Sequence, residues 1–281
     1  MKLAEVIYRP QGSNRPEREQ VIQFAKEVMK IDYDEFINSE TYAFECQNDE
    51  VIIYGEFHPV EHSRGCVILA HGFGQNRYIL IPQEQMFRRM GFSTILFDQR
   101  GFGESKEEVC TFGVEEGRDV ACLVSWAKEK YGQDCPIILF GVSMGAATVM
   151  NALQYTGQAD YLIEDCGFAN LRKVVFSLYK SLGMGDAEDK VMTEMEEDTL
   201  KLGFDLDDNS PMNVLKDKNI PICIIHGLDD STIEEDNARD LFAMCRHEKS
   251  CIELFEEKEH ALCITDMDRY EGVIREFLKD L

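Results

Sequence analysis

From Cys66 onward the chain alternates between short apolar runs and longer stretches in which apolar residues recur every three or four positions. CVILA (66–70), STILFD (93–98), PIILFG (136–141), YLIED (161–165) and PICIIHG (221–227) are almost continuously apolar, as strands covered on both faces should be. Between and after them, GVEEGRDVACLVSWAKEKYG (113–132), MGAATVMNALQYTG (144–157), EEDNARDLFAMCRH (234–247) and DRYEGVIREFLKDL (268–281) carry the helical period. Such alternation predicts a mainly parallel sheet with helices on both faces, and right-handed crossovers leave few topologies open. In sheets of that kind ligands bind at the carboxyl ends of the strands.

Upstream the pattern differs. PEREQVIQFAKEVMK (16–30) predicts a leading helix, and YAFEC (42–46) and VIIYGEFH (51–58) predict an antiparallel hairpin around the polar turn QNDE. Residues 169–212 break the alternation before a core strand and contain two helical stretches of their own, LRKVVFSLYKSLGMG and AEDKVMTEMEEDTLKLG. A segment of that length reads as a helical cap over the site, although a helical excursion that never meets substrate has the same pattern. The organisation expected is an N-terminal extension with a helix (1–40), a core formed by 41–168 and 213–281, and the cap at 169–212. Phe176, Tyr179 and Leu182 in the cap are candidates for an apolar substrate wall; their spacing equally suits a helix packing on the core.

A chain of 281 residues, 44% of them hydrophobic, can bury a large single core. Its net charge of -24 repels phosphate backbones and anionic lipid surfaces, so neither nucleic acid nor membrane is an expected partner. The ten cysteines include no Cys-x-x-Cys pair, and Cys66, Cys122 and Cys223 lie in apolar runs, where a thiol acts as a small hydrophobe. Together with a start lacking a sustained apolar leader segment and no run of the roughly 20 apolar residues a membrane helix requires, this points to a cytoplasmic protein. Nothing in the pattern bears on oligomeric state.

The chemistry centres on GVSMG (141–145), which falls where a strand passes into a helix. Two glycines there permit a sharp turn with Ser143 at its apex, the arrangement of a nucleophile elbow. A serine hydroxyl needs a base to remove its proton, so a histidine and an orienting acid should follow later strands. His260 follows the last strand, SCIELF, and HGLDD (226–230) follows the strand before it. The remaining histidines suit bland roles: His58 and His62 flank a polar turn, His247 ends a basic helix, and His71 and His226 sit at strand ends where an imidazole holds a loop. No Cys/His cluster has the spacing of a metal site, and neither a phosphate-cradling nor a dinucleotide-binding glycine motif occurs.

HGFGQN, FDQRGFGES, GVSMG, DCGF, NSP, HGLDD and EHA, taken in order, resemble the α/β-hydrolase superfamily, and within it the esterase-like members grouped with serine aminopeptidase-type and lysophospholipase-type hydrolases. The resemblance implies an α/β fold with about eight mainly parallel strands, no cofactor, and a triad of Ser143, Asp230 and His260. Asp229 and Asp165 remain alternative acids, and the proline often found after the acid is missing from STIEED. The resemblance also implies an oxyanion hole formed by the backbone N–H groups of Phe73 and Met144, with Asp98 and Arg100 stabilising a turn below. The expected activity is hydrolysis of a small-molecule carboxylic ester through an acyl-enzyme. A peptidase, amidase or acyltransferase would use the same triad, and a ligand-binding or sensor protein could keep the scaffold with negligible turnover.

Overall fold

A computed structural model describes residues 18–30, 41–48, 51–105, 109–174, 188–207 and 210–281. The leading helix α1 (Arg18–Phe24) widens into a π-helical turn over Ala25–Met29. Strands β1 (Tyr42–Asn48) and β2 (Val51–His58) form the expected hairpin, paired from Tyr42↔Phe57 to Asn48↔Val51. There follow β3 (Cys66–Ala70), α2 (Ile81–Arg89), β4 (Ser93–Phe97), α3 (Val114–Tyr131), β5 (Ile137–Val142), α4 (Met144–Ala152) and β6 (Tyr161–Asp165). After these come α5 (Glu188–Leu202), α6 (Pro211–Leu215), β7 (Ile222–Gly227), α7 (Asp236–Met244), β8 (Cys251–Phe255) and α8 (Met267–Phe277).

The eight strands make one sheet in the order β1-β2-β4-β3-β5-β6-β7-β8. Only the pairs involving β2 are antiparallel; the rest are parallel. Their registers place Ala70 opposite Gly141, Val142 opposite Asp165, Asp165 opposite Ile225 and Gly227 opposite Phe255. The loops after β3, β5, β6, β7 and β8 therefore leave from one edge, which is where a site can be assembled from distant sequence.

Period-two alternation divides the apolar strand residues between two cores. Ile68, Ile95, Leu139, Leu162 and Ile224 face α3 and α4, and Val67, Leu69, Leu96, Phe140, Ile163 and Ile225 face α2 and α8. Each such fully buried side chain contributes about 1.5–3 kcal/mol, which accounts for the continuous runs seen in the sequence. Helix α2 has no counterpart among the expected helices, because its face toward the sheet is partly polar: Gln83, Glu84 and Gln85 are all buried. Thr94 donates to Glu84 at 3.1 Å from the neighbouring strand β4. The helix predicted over 144–157 stops at Ala152, where Tyr155 turns out to solvent.

A third apolar cluster sits above the carboxyl edge. Met144 and Ala147 from α4 and Phe102, Phe112 and Phe168 from the core loops pack against Leu171, Met195, Phe204 and Leu206 from the 169–212 segment. Arg172 ties that segment together, meeting Asp207 at 2.8–2.9 Å and Glu196 on α5. The segment leaves and returns at one point: Met212 N–H and Ser210 Oγ both donate to Ala169 O, at 3.3 and 3.5 Å. Phe176, Tyr179 and Leu182 lie outside the described residues.

Candidate active site

Ser143 stands between β5 and α4 with φ 57° and ψ −119°, a strained conformation for any residue with a Cβ. The flanking glycines make the turn possible. A Cβ on Gly141 would lie 2.2 Å from Gly145 O, and one on Gly145 would lie 2.1 Å from Ala70 O, so neither position admits a side chain. The backbone of the turn is held by Ser143 N–H donating to Asp165 O at 2.8 Å. The hydroxyl is thus raised above the sheet and kept partly accessible.

His260, on the loop after β8, brings Nε2 to 2.9 Å from Ser143 Oγ and Nδ1 to 2.7 Å from Asp230 Oδ2. With Nδ1–H donating to the carboxylate, Nε2 presents its lone pair to the serine hydroxyl. Asp230 is buried, and its other oxygen accepts N–H bonds from Thr232 at 2.9 Å and Ile233 at 2.8 Å. Three donors on one carboxylate fix its orientation beneath the imidazole. Asp229 is exposed and contributes to none of this.

Asp165, the remaining candidate acid, is fully buried at the end of β6, and its Oδ2 accepts from Tyr270 OH at 2.8 Å. Burial is the main cause that pushes its carboxyl up to about 7, with the Asp230 charge adding to it. Next to it, Glu164 is pushed up to about 8 by burial. Cys166, which the sequence reading left unassigned, completes the floor of the site: its Sγ lies within 4.8 Å of the ligating atoms of Asp230 and His260. Burial and the Asp165, Asp230 and Glu164 carboxylates hold that thiol well above its usual range. Within this group the imidazole and Asp230 are already hydrogen-bonded to each other.

His226 and His71 support loops. His226 Nε2 donates to Ile233 O at 2.8 Å, bracing the turn that carries Asp230, and burial keeps the imidazole neutral. His71 Nδ1 donates to Gly72 O at 2.8 Å while Nε2 accepts from Gln99 N–H at 3.0 Å, and burial lowers its pKa as well. Gln99 is a residue the sequence reading passed over. Its side chain donates to His71 O and accepts from Thr148 Oγ1 at 2.7 Å, so one amide joins the loop after β3 to the helix that begins at the elbow.

That loop contains Phe73, and it lies against the serine: a Cβ on Gly72 would be 3.4 Å from Ser143 Cβ and 3.9 Å from its Oγ. Met144, the first residue of α4, has an N–H that no intrahelical carbonyl can accept. The Phe73 ring stacks on Phe112 at 5.0 Å and meets Phe102 edge-on at 5.7 Å, which fixes the backbone carrying its N–H. Below, Asp98 accepts from Arg77 N–H at 2.8 Å, from the Arg77 guanidinium and from Glu104 N–H at 2.9 Å, and Arg100 pairs bidentately with Asp119 at 2.6–2.7 Å. Both act on the turn rather than on the serine.

Comparison with known proteins agrees with this architecture. Residues 61–174 match the family model described as serine aminopeptidase, S33. The uncharacterized protein YqkD of Bacillus subtilis is 27% identical over 234 residues, covering 80% of this chain and 75% of that protein. The thiohydrolase AneE of Aspergillus aculeatus is 29% identical over 124 residues, covering 42% of this chain but only 38% of its own. Among solved structures, the Pyrococcus furiosus esterase Pf2001 superposes with a TM-score of 0.70 at 19% identity, covering 88% of this chain and 93% of that one. The chain has the fold of the α/β hydrolases, and a hydrolase is the class of activity these findings support. No helix among the described residues is long and apolar enough to cross a membrane.

Proposed function

We propose that the protein is a serine hydrolase that cleaves small carboxylic esters through an acyl-enzyme on Ser143. The observation that carries this reading is the unbroken line of hydrogen bonds from Ser143 Oγ through His260 to Asp230, at 2.9 and 2.7 Å. His260 Nε2 takes the hydroxyl proton as Oγ attacks the carbonyl carbon, and Asp230 steadies the imidazolium that forms. The N–H groups of Phe73 and Met144 donate to the developing oxyanion; removing one such donor commonly costs about 10²–10³ in turnover. The imidazolium gives its proton to the leaving alkoxide; the neutral imidazole then takes a proton from the water that attacks the acyl carbon and returns it to Ser143 Oγ as the acid departs.

Ester cleavage is favoured by the apolar surroundings of the serine, where Phe73, Met144, Phe102 and Phe112 converge, and by the esterase activity named for the Pyrococcus protein. The ten cysteines, most of them buried in apolar surroundings, fit a cytoplasmic setting. Labelling with a fluorophosphonate probe tests the reading: wild type should be modified at Ser143, and S143A should not. A wild-type protein that neither labels nor hydrolyses short p-nitrophenyl esters is a binding protein on this scaffold, and the proposal fails.

A further inference from the structure

On the face of the sheet opposite α2 and α8, strand β1 and helix α3 meet in a register set by their two periods. Phe44, Cys46 and Asn48 alternate onto one side of β1, and Trp126, Cys122 and Asp119 follow one another down one side of α3. Phe44 stacks on Trp126 with centroids 4.6 Å apart, and Asn48 Nδ2 donates to Asp119 Oδ1 at 2.7 Å. Between these two contacts, Cys46 Sγ and Cys122 Sγ lie 2.8 Å apart. Cys122 Sγ also reaches Gln47 O at 3.4 Å. The stacked rings on one side and the amide–carboxylate bond on the other therefore hold the two sulfurs in place.

We propose that Cys46 and Cys122 form a redox-modification site, at which a peroxide converts the two thiols into a reversible disulfide joining β1 to α3. The sulfurs need to approach by only about 0.8 Å to reach the roughly 2.0 Å of an S–S bond. Access decides the order of events. Cys122 is partly exposed, whereas Cys46 is only 6% exposed. Contact with Cys122, burial and the nearby Asp119 and Glu129 push the Cys46 thiol upward. The peroxide meets Cys122 first, transferring one oxygen to give a sulfenic acid and leaving as water. Cys46 sulfur then attacks Cys122 sulfur; the S–S bond forms, and the displaced hydroxyl leaves with the Cys46 proton as a second water. A dithiol reductant reverses the step.

This site is independent of the hydrolase reading, so S143A should form the bridge as readily as wild type. The reduced protein is treated with hydrogen peroxide under native conditions and mapped without reduction. A peptide linking Cys46 to Cys122, two hydrogens lighter and separated again by dithiothreitol, is the expected result. Because the bridge closes a loop between residues 76 positions apart, the oxidised protein should also melt about 5 °C or more higher. C122S, changed at a partly exposed helix position, should show neither the linked peptide nor the rise in Tm, and C46A should leave a dimedone-reactive sulfenic acid at Cys122. Cys223 and Cys251, opposite one another on β7 and β8, are the competing pair. A bridge found there instead, or Cys122 oxidised to sulfinic acid with no linked peptide, overturns the proposal.

Discussion

Two aspartates leave neighbouring strands of the sheet, and their surroundings give them opposite characters. Asp230, just past β7, accepts from His260, Thr232 N–H and Ile233 N–H. Asp165, at the end of β6, accepts from Tyr270 OH at 2.8 Å and meets the Cys166 thiol, and its Oδ1 has no hydrogen-bond partner among the described residues. Both are buried. What separates them is the number of donors that replace the lost water, since burial of a carboxylate is costly where hydrogen bonds do not compensate it. Asp230, held by three donors, is placed to orient the imidazole, whereas Asp165 points its hydrogen-bonded oxygen at Tyr270 and its carboxyl is pushed up to about 7 by burial.

The sharpest way to break this contrast is to neutralise each carboxylate in turn. D230N should lower kcat by about four orders of magnitude by losing the imidazole tautomer, and D165N should keep most of the activity. Ester turnover measured for both decides, and the reverse ranking would make Asp165 the acid. Next in size is Y270F, which removes the hydroxyl donor to Asp165 Oδ2 inside the core. It should cost about 1–3 kcal/mol in a denaturant titration with little change in kcat.

The pH dependence of stability sharpens the same comparison. Asp165 titrates near 7 when folded and near 3.9 when unfolded, so between those values the native state holds a proton the unfolded chain has released. Its contribution is complete below about pH 4 and is lost as pH rises through 7. D165N cannot titrate, so its stability relative to wild type should climb between pH 4 and 8 by on the order of 1–4 kcal/mol. A constant difference across that range would show that Asp165 is ionised throughout. The smallest effect is expected far from both carboxylates: R172A breaks ion pairs with partly exposed partners and should change stability by less than about 1 kcal/mol.

Much of this arrangement is legible in the chain before any coordinates, and the reasons are physical. A strand buried on both faces must be apolar at every position, so CVILA and YLIED declare themselves with their boundaries. Ser143 is legible because the glycines at 141 and 145 answer a steric demand of the local turn. Helix α2 is hidden because Gln83, Glu84 and Gln85 are buried by partners that only tertiary structure supplies. Gln99 and Cys166 are hidden for a related reason: what each does is set by His71, Thr148, Asp230 and His260, which arrive from other loops. The choice among Asp165, Asp229 and Asp230 stays open in the sequence because donor number and burial are properties of the fold.

The closure at Ala169 has a consequence for how the molecule can vary. A carbonyl that receives both Ser210 and Met212 ties the two ends of the 169–212 segment together in one seam. Sequence inside the seam can be exchanged or lengthened while the strands beneath keep their pairing, so the surface packed on Met144 can change without refolding the sheet.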